Sequence, residues 1–499
     1  MNKHRETLSL PTEPRQLGFY IDGQMRDGGS RSRLDRVSPA HDVVVSSTVL
    51  CTSDDVDEAV AVARRVFEAG TWSRWSGAQR AAVLLKAAAG IRENLEELAY
   101  WETLETGKAI SQSRAEIGDA AGHYEYAAGV TRTLHGDAFN NLGDAMFGLV
   151  TRQPIGVIGL IIPWNFPFII LAERIPYMLA AGCTIVCKPS ELTSTTTVRM
   201  AEILSEAGLP NGVFNVVTGT GPEVGKAMTE HDDVDMMSFT GSLEVGRKAL
   251  IASAGNIKKL GLELGGKNPQ IVFADADLED AADGVVFGLC FNAGQCCVSG
   301  SRLVVEKSIA DGFSKLVAEK LSRVRIGDVL DPDTQLGAIV SPQHFEKILG
   351  YIESGKSDGA TVVFGGGAAD TERGRYVTPT LLANVERDMA VARDEIFGPV
   401  LTMQTFETVE EAIGIANDNV FGLAASIWTK NIDKAIQTMR RVHAGRTWVN
   451  TTITGGPELP IGGFKQSGTG RETGVYGVEE YTEVKSIHIA IGKRDPWVK

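Results

Sequence analysis

From about residue 155 onward, short β-branched runs alternate with longer stretches of helical period, and this alternation constrains the fold more than any other feature of the chain. Residues 155–162, 184–188, 212–217 and 236–240 read as strands, with helices at 195–207 and 222–229 between them. A connection long enough to hold a helix returns the chain to a parallel neighbour, so the pattern implies an α/β fold around a parallel sheet. Ahead of this series, 53–69 and 77–104 carry Ala, Leu and Glu at helical spacing. A second αβ series from 270 to about 450 has helices at 278–293, 311–322, 342–350 and 408–417 and makes a second unit. At 499 residues, two or three domains with separate cores are expected.

A net charge of -14 with no Lys/Arg cluster disfavours nucleic acid and anionic membranes as partners, since both need concentrated positive charge. Residues 155–172 are uncharged and long enough to suggest a membrane span. Pro163, Asn165 and Pro167 in the middle of that stretch instead favour a buried strand, a loop and a helix, because lipid offers freed backbone groups no partner. Residues 1–15 lack the apolar core of a secretory signal. The cysteines at 51, 183, 187, 290, 296 and 297 have neither a disulfide framework nor metal-ligand spacing, so no metal and a reducing, cytoplasmic location are expected.

Three short motifs point elsewhere and fail on context. Gly350-Tyr351-Ile352-Glu353-Ser354-Gly355-Lys356-Ser357 has the letters of a triphosphatase phosphate loop, which must follow a strand and open a helix. Here a helical stripe of Phe345, Ile348, Leu349 and Ile352 precedes it and a strand at 361–364 follows. Gly355-Lys356-Ser357-Asp358-Gly359 has the form of a hydrolase nucleophile elbow but lacks the apolar strand before its serine. Gly219-Thr220-Gly221-Pro222 reads as a dinucleotide fingerprint or, equally well, as a tight strand-to-helix turn.

Three other strings carry chemistry. Phe291-Asn292-Ala293-Gly294-Gln295-Cys296-Cys297 offers a thiol, and Gly261-Leu262-Glu263-Leu264-Gly265-Gly266-Lys267-Asn268-Pro269 a carboxylate. A thiolate adds to a carbonyl carbon, and a carboxylate that takes a proton from water hydrolyses the resulting thioester. Pro163-Trp164-Asn165-Phe166-Pro167 supplies a side-chain amide for an oxyanion. These strings resemble the aldehyde dehydrogenase superfamily. Lys188-Pro189-Ser190-Glu191, Phe239-Thr240-Gly241-Ser242, Glu395-Ile396-Phe397-Gly398-Pro399 and Gly462-Gly463-Phe464-Lys465-Gln466-Ser467-Gly468 extend the resemblance, in the family's order, over nearly the whole chain.

The resemblance implies NAD-dependent oxidation of an aldehyde to its acid. Cys297 rather than Cys296 would be the nucleophile, with a thiolate favoured by a lowered pKa; Glu263 would be the general base, Asn165 the oxyanion donor and Glu472 a proton relay. Lys188 and Glu191 would take the adenosine ribose of NAD, Gly241, Ser242 and Gly246 the pyrophosphate, Glu395 and Phe397 the nicotinamide ribose and ring, and Trp164 would back that site. The implied architecture is a Rossmann-like NAD-binding domain over 1–130 and 153–264, an α/β catalytic domain over 265–466, and a small β oligomerisation arm from 131–152 and 479–499, in a homo-oligomer, dimer or tetramer. The tail at 481–491 has no obvious hairpin partner and suits pairing with another subunit.

For the substrate, Gly455-Gly456-Pro457-Glu458-Leu459-Pro460 is similar to betaine aldehyde and aminoaldehyde dehydrogenases, and Glu173-Arg174 stands where relatives often carry Trp-Lys. Glu173 with the aromatic faces of Phe166, Phe291 and Trp448 would attract a cationic aldehyde. Alternatively Glu173 pairs with Arg174 or another cation and never meets substrate. Other readings are a generic aliphatic or semialdehyde dehydrogenase, or a non-catalytic protein on the same fold.

Overall fold

The computed structural model describes residues 8–494 and 496–498. The remaining positions of the expected first domain and arm, 1–7, 495 and 499, lie outside the described residues. Two large sheets dominate. The first is eight-stranded, in the order Gly468–Thr469, Lys259–Glu263, Met236–Thr240, Val157–Ile161, Thr184–Lys188, Phe214–Val216, Phe19–Ile21, Gln24–Arg26. Its five central strands are parallel, and the central three of them are among the most apolar runs in the chain, as burial on both faces demands. From Val157–Ile161 the chain steps outward to one side through two strands, then returns to fill the other side, so the strand order reverses beside it. Such a reversal opens a crevice at the carboxyl ends of the strands.

The second sheet has seven strands, in the order Thr361–Phe364, Thr380–Ala383, Val400–Phe406, Arg302–Glu306, Pro269–Val272, Ala424–Trp428, Arg446–Val449, parallel except at the first pair. Glu263 ends a strand of the first sheet and Pro269 begins one of the second, so residues 264–268 join the carboxyl edge of one sheet to the amino edge of the other.

Local chemistry explains the helix limits. Ser53–Ala69 forms as expected: Asp55 Oδ2 accepts the Thr52 N–H at 2.8 Å at one end, and Gly70 adopts a left-handed φ of 72° at the other. The helix expected over 77–104 is two, Gly77–Glu93 and Leu95–Thr106. Asn94 breaks it, its side chain donating to Gly90 O at 2.8 Å and competing with the backbone ladder. The false phosphate loop lies wholly inside the helix Pro342–Ser357, whose amides serve the helix itself.

The tail meets, within its own chain, the arm segment that the resemblance joins it to. Thr482–Ala490 pairs antiparallel, over nine residues, with Met146–Pro154 of the same chain, and Asp137–Phe139 completes a three-stranded sheet. Its partner lies more than three hundred residues away, which local pattern cannot reveal. Among the described residues, no helix is long and apolar enough to cross a membrane.

Candidate active site

The residues singled out above converge on the crevice where the two sheets meet. Trp164 and Asn165 follow Val157–Ile161, Lys188 ends the next strand, Gly241 and Ser242 follow Met236–Thr240, and Glu263 ends Lys259–Glu263. Cys297 precedes Arg302–Glu306, and Glu395 and Phe397 precede Val400–Phe406, at the amino ends of the second sheet.

The helix leading to the thiol stops at Cys290, short of the expected 293, and Phe291–Gly294 forms a tight turn with Asn292 and Ala293 at φ of 49° and 53°. Left-handed backbone at two successive non-glycine residues is strained and persists only where the surroundings enforce it. Here they do. The Asn292 side-chain amide donates to Asn165 O at 2.8 Å and Gln295 O at 3.2 Å, and Gln295 Oε1 accepts the Val340 N–H at 2.9 Å. Asn165 is buried, and its Nδ2 donates to Gln295 O at 3.1 Å. A primary amide has two N–H groups, which leaves one for a ligand.

Of the six cysteines, Cys297 is the one that is not buried. Its thiol pKa is pushed well up rather than down, first by a hydrogen bond with the Cys296 thiol and then by desolvation. The expected low-pKa thiolate is therefore corrected: among the described residues the charges that weigh most on the sulfur, from Cys296, Glu395 and Glu173, are negative. Asn268, which carried no expected role, ties the nucleophile loop down; its Nδ2 donates to Cys297 O and Ser299 O, each at 2.8 Å. Gly266 makes that approach possible, since a Cβ there would lie 2.7 Å from Cys297 O.

Glu263 is buried with Oε1 unpaired, and desolvation raises its carboxyl well above the usual range, with Arg174 opposing and Glu472 and Cys297 adding to the rise. A carboxyl so tuned holds a proton where an exposed one cannot. Glu472 accepts from Tyr481 Oη at 2.5 Å and from Ser238 Oγ at 3.4 Å, and lies 3.9 Å from Arg174 Nε. Buried Arg174 also donates to Glu173 at 3.1 Å. The pairing of Glu173 with its neighbour, set above as the alternative to a substrate role, is thus the arrangement found.

Phe166 stacks on Phe291, centroids 5.5 Å apart, and Phe291 meets Phe287 at 5.4 Å. Phe287 is 46% exposed and escaped notice in the sequence, although its spacing of four from Phe291 on a helix was the available signal. Trp448, offered as an aromatic face, is buried, and its indole N–H donates to Thr454 O at 2.6 Å, holding the following loop.

The residues expected to hold a dinucleotide line the other side of the crevice. Lys188 Nζ is 3.5 Å from Glu191 Oε2, with Glu191 part-exposed. Ser242 caps the helix Leu243–Ala252, accepting from the Val245 N–H, and Gly246 packs against Leu264 in its first turn. A cavity of about 350 Å³ is lined by Ser242, Leu243, Glu395 and Phe421 among others. Glu395 accepts the Gly266 N–H at 2.9 Å, and burial pushes its carboxyl up to about 7. Phe397, at φ 62°, stands edge-on to Trp164 at 5.4 Å. His344, also unforeseen, packs on both rings and bonds Phe397 O through Nε2 at 2.6 Å; burial lowers its pKa to about 4. A helix start, a carboxylate pair position and an aromatic slot in one crevice fit a dinucleotide. Among the described residues, no group of three His, Cys, Asp or Glu could hold a metal ion.

A part-exposed thiol and a buried carboxyl thus reach this crevice from the ends of two largely parallel sheets. The sequence matches the Aldehyde dehydrogenase family over residues 25–487, and the chain belongs to that family. It is 41% identical to aldehyde dehydrogenase family 2 member C4 of Arabidopsis thaliana, covering 99% of this chain and 98% of that one. It is 40% identical to a betaine aldehyde dehydrogenase of Bacillus subtilis, covering 94% and 96%. Among solved structures, an NAD-dependent aldehyde dehydrogenase from Sinorhizobium meliloti matches with a TM-score of 0.95 at 50% identity, covering 97% of this chain and 96% of that one. A betaine aldehyde dehydrogenase from Staphylococcus aureus in complex with NAD+ matches with a TM-score of 0.95 at 36% identity, covering 97% and 100%.

Proposed function

We propose that the protein oxidises an aldehyde to its carboxylic acid with NAD, using Cys297 as nucleophile, Glu263 as general base and Asn165 as oxyanion donor. The observation that carries this reading is the tie between the segment that runs on from Glu263 and the Cys297 loop, Asn268 Nδ2 donating to Cys297 O at 2.8 Å, which supports a carboxyl and a thiol acting at one site. The Cys297 proton leaves to solvent as the sulfur attacks, Cys297 being the part-exposed cysteine of the six. The carbonyl oxygen becomes an oxyanion, which accepts from the free N–H of Asn165 Nδ2 and from the Cys297 backbone N–H; one such donor contributes about 3 kcal/mol. NAD, when bound, accepts hydride from the carbon. Glu263 then takes a proton from water, hydroxide adds to the thioester, and the acid leaves as the thiolate is regenerated. Glu472, fixed by Tyr481, Ser238 and Arg174, suits a relay of that proton outward.

Lys188 and Glu191 would hold the adenosine ribose, the start of Leu243–Ala252 the pyrophosphate, and Glu395, Phe397 and Trp164 the nicotinamide half. The proposed units are an NAD-binding domain (1–130 and 153–264), a catalytic domain (265–466) and an arm (131–152 and 479–499) that joins copies into a homo-oligomer. The exposed face of the arm, with Phe139, Leu142, Val484, Ile487 and Ile489, supports that last step.

For the substrate, similarity to betaine aldehyde dehydrogenases favours a cationic aldehyde, but the geometry favours an uncharged one: Arg174 compensates Glu173, and the Phe166 ring is already engaged by a buried cation, Lys108. The test of the reaction is a stopped-flow trace of Glu263→Gln with NAD and aldehyde. One NADH per site followed by a stall is expected if hydrogen transfer survives and hydrolysis does not. Turnover at the native rate, or reduction of no NAD by the native protein with any aldehyde, would overturn the reading.

A further inference from the structure

Lys108 is only 1% exposed, yet carries an amine that donates to Glu102 Oε1 at 2.9 Å and to Glu116 Oε2. Both carboxyls are buried. Burial opposes the ammonium, but Glu102 and Glu116 outweigh it and raise the Lys108 pKa, while burial and the neighbouring Glu102 raise the Glu116 carboxyl in turn. An apolar trio of equal volume would stabilise the fold as well or better, because removing charges from water costs more than their pairing returns. The placement of the cluster is what distinguishes it.

Lys108 Nζ lies 4.2 Å from the ring centroid of Phe166, the residue after Asn165. Glu116 Oε1 accepts the Ile169 N–H at 3.2 Å, in the first turn of the helix Pro167–Ala172 that follows. One turn earlier on its own helix, Ile110–Thr133, Gln112 Oε1 accepts the Asn292 N–H at 3.1 Å. Asn292 in turn donates to Asn165 O. One elbow of chain, residues 102–116, therefore grips the oxyanion site from both sides: the amide segment through Lys108 and Glu116, the nucleophile turn through Gln112.

We propose that Lys108, hydrogen-bonded to Glu102 and Glu116, is a positioning residue for the Asn165 amide. The ammonium pins the Phe166 ring through a cation-π contact and Glu116 pins the start of the next helix, so that the residue between strand and helix has one orientation. This rests on the oxyanion reading of Asn165.

A double-mutant cycle tests it, using the full-length enzyme and kcat/KM for a fixed aldehyde at saturating NAD. Lys108→Met is expected to cost about tenfold or more in the chain that retains Asn165, and less than about twofold when Asn165 is already Ala, since a residue acting through Asn165 has nothing left to position. Glu116→Gln, which keeps an acceptor for Ile169, should show the same coupling with a smaller loss. It replaces Lys108→Met in the cycle if that variant fails to fold. Equal losses in both backgrounds would overturn the proposal and make the cluster purely structural. If Asn165→Ala alone leaves activity intact, the oxyanion reading itself is wrong and this inference falls with it.

Discussion

The side-chain amide of Asn268 donates to Cys297 O at 2.8 Å while its Oδ1 accepts the Ala424 N–H at 3.0 Å, so one residue links the nucleophile loop to a strand of the second sheet. Asn268→Ala removes these bonds and leaves the buried Ala424 N–H without a partner, a cost of about 1–3 kcal/mol. A displaced sulfur also loses its line of attack, and kcat/KM should fall on the order of tenfold to a hundredfold. Thermal unfolding and steady-state kinetics on the one variant separate the effects: a lower Tm with unchanged kcat/KM would mean that other contacts hold Cys297.

Cys296 and Cys297 should separate by function and by titration. Cys297→Ala is expected to abolish NADH formation, and Cys296→Ala to retain it. The hydrogen bond with Cys296 is the largest cause of the raised Cys297 pKa, so its removal should shift the pH profile of Cys297 alkylation to lower pH. The iodoacetamide labelling rate against pH is the measurement. A dead Cys296→Ala with an active Cys297→Ala would reverse the assignment.

Lys267 gives a prediction on stability. Its Nζ is buried without a hydrogen-bond partner, and desolvation, with Arg302 adding to it, lowers its pKa to about 7. Unfolded, the same amine holds its proton to about 10.5. Between these values the unfolded chain binds the extra proton, so burying Lys267 costs stability in full below pH 7, and that cost is relieved as pH rises from 7 toward 10.5. Lys267→Met should therefore stabilise the protein most below pH 7, with the advantage shrinking above it. Differential Tm at pH 6 and pH 9 checks this, and an advantage that grows with pH would refute it.

The legibility of the chain follows the range of its contacts. Strands 184–188 and 236–240 and the helix Ser53–Ala69 were readable to the residue, because β-branched runs, a capping carboxylate and a terminal glycine are all local signals. Cys297, Glu263 and Asn165 were singled out through motifs whose residues lie side by side. Lys108, Asn268, His344 and Arg174 act on residues elsewhere in the chain or through a buried neighbour, and nothing in their local sequence marks them. The raised pKa of Cys297 has a local cause, the bond with the adjacent Cys296 thiol, and a second, burial, that depends on the fold.

Glu173 decides the last prediction. Its carboxylate accepts from Arg174, while burial raises the Glu472 carboxyl near Arg174 Nε toward its neutral form, so the guanidinium charge is left to offset Glu173 and little net field remains to draw in a cation. Cation-π attraction, about 0.5–2 kcal/mol at best, is weakened at Phe166 by the ammonium already 4.2 Å from its centroid. Betaine aldehyde and 3,3-dimethylbutanal have the same shape and differ only in a quaternary nitrogen replacing a quaternary carbon. Desolvation of the cation in a compensated site is unfavourable, so the neutral aldehyde should have the higher kcat/KM, by about tenfold for each 1.4 kcal/mol of that penalty. Arg174→Met would uncover Glu173 and Glu472 and should narrow the gap, provided the variant folds; Glu173→Gln should leave the ranking in place. Betaine aldehyde matching or exceeding its neutral isostere would return the cationic reading and place an uncompensated carboxylate, with the exposed Glu458 the first candidate, on the substrate path.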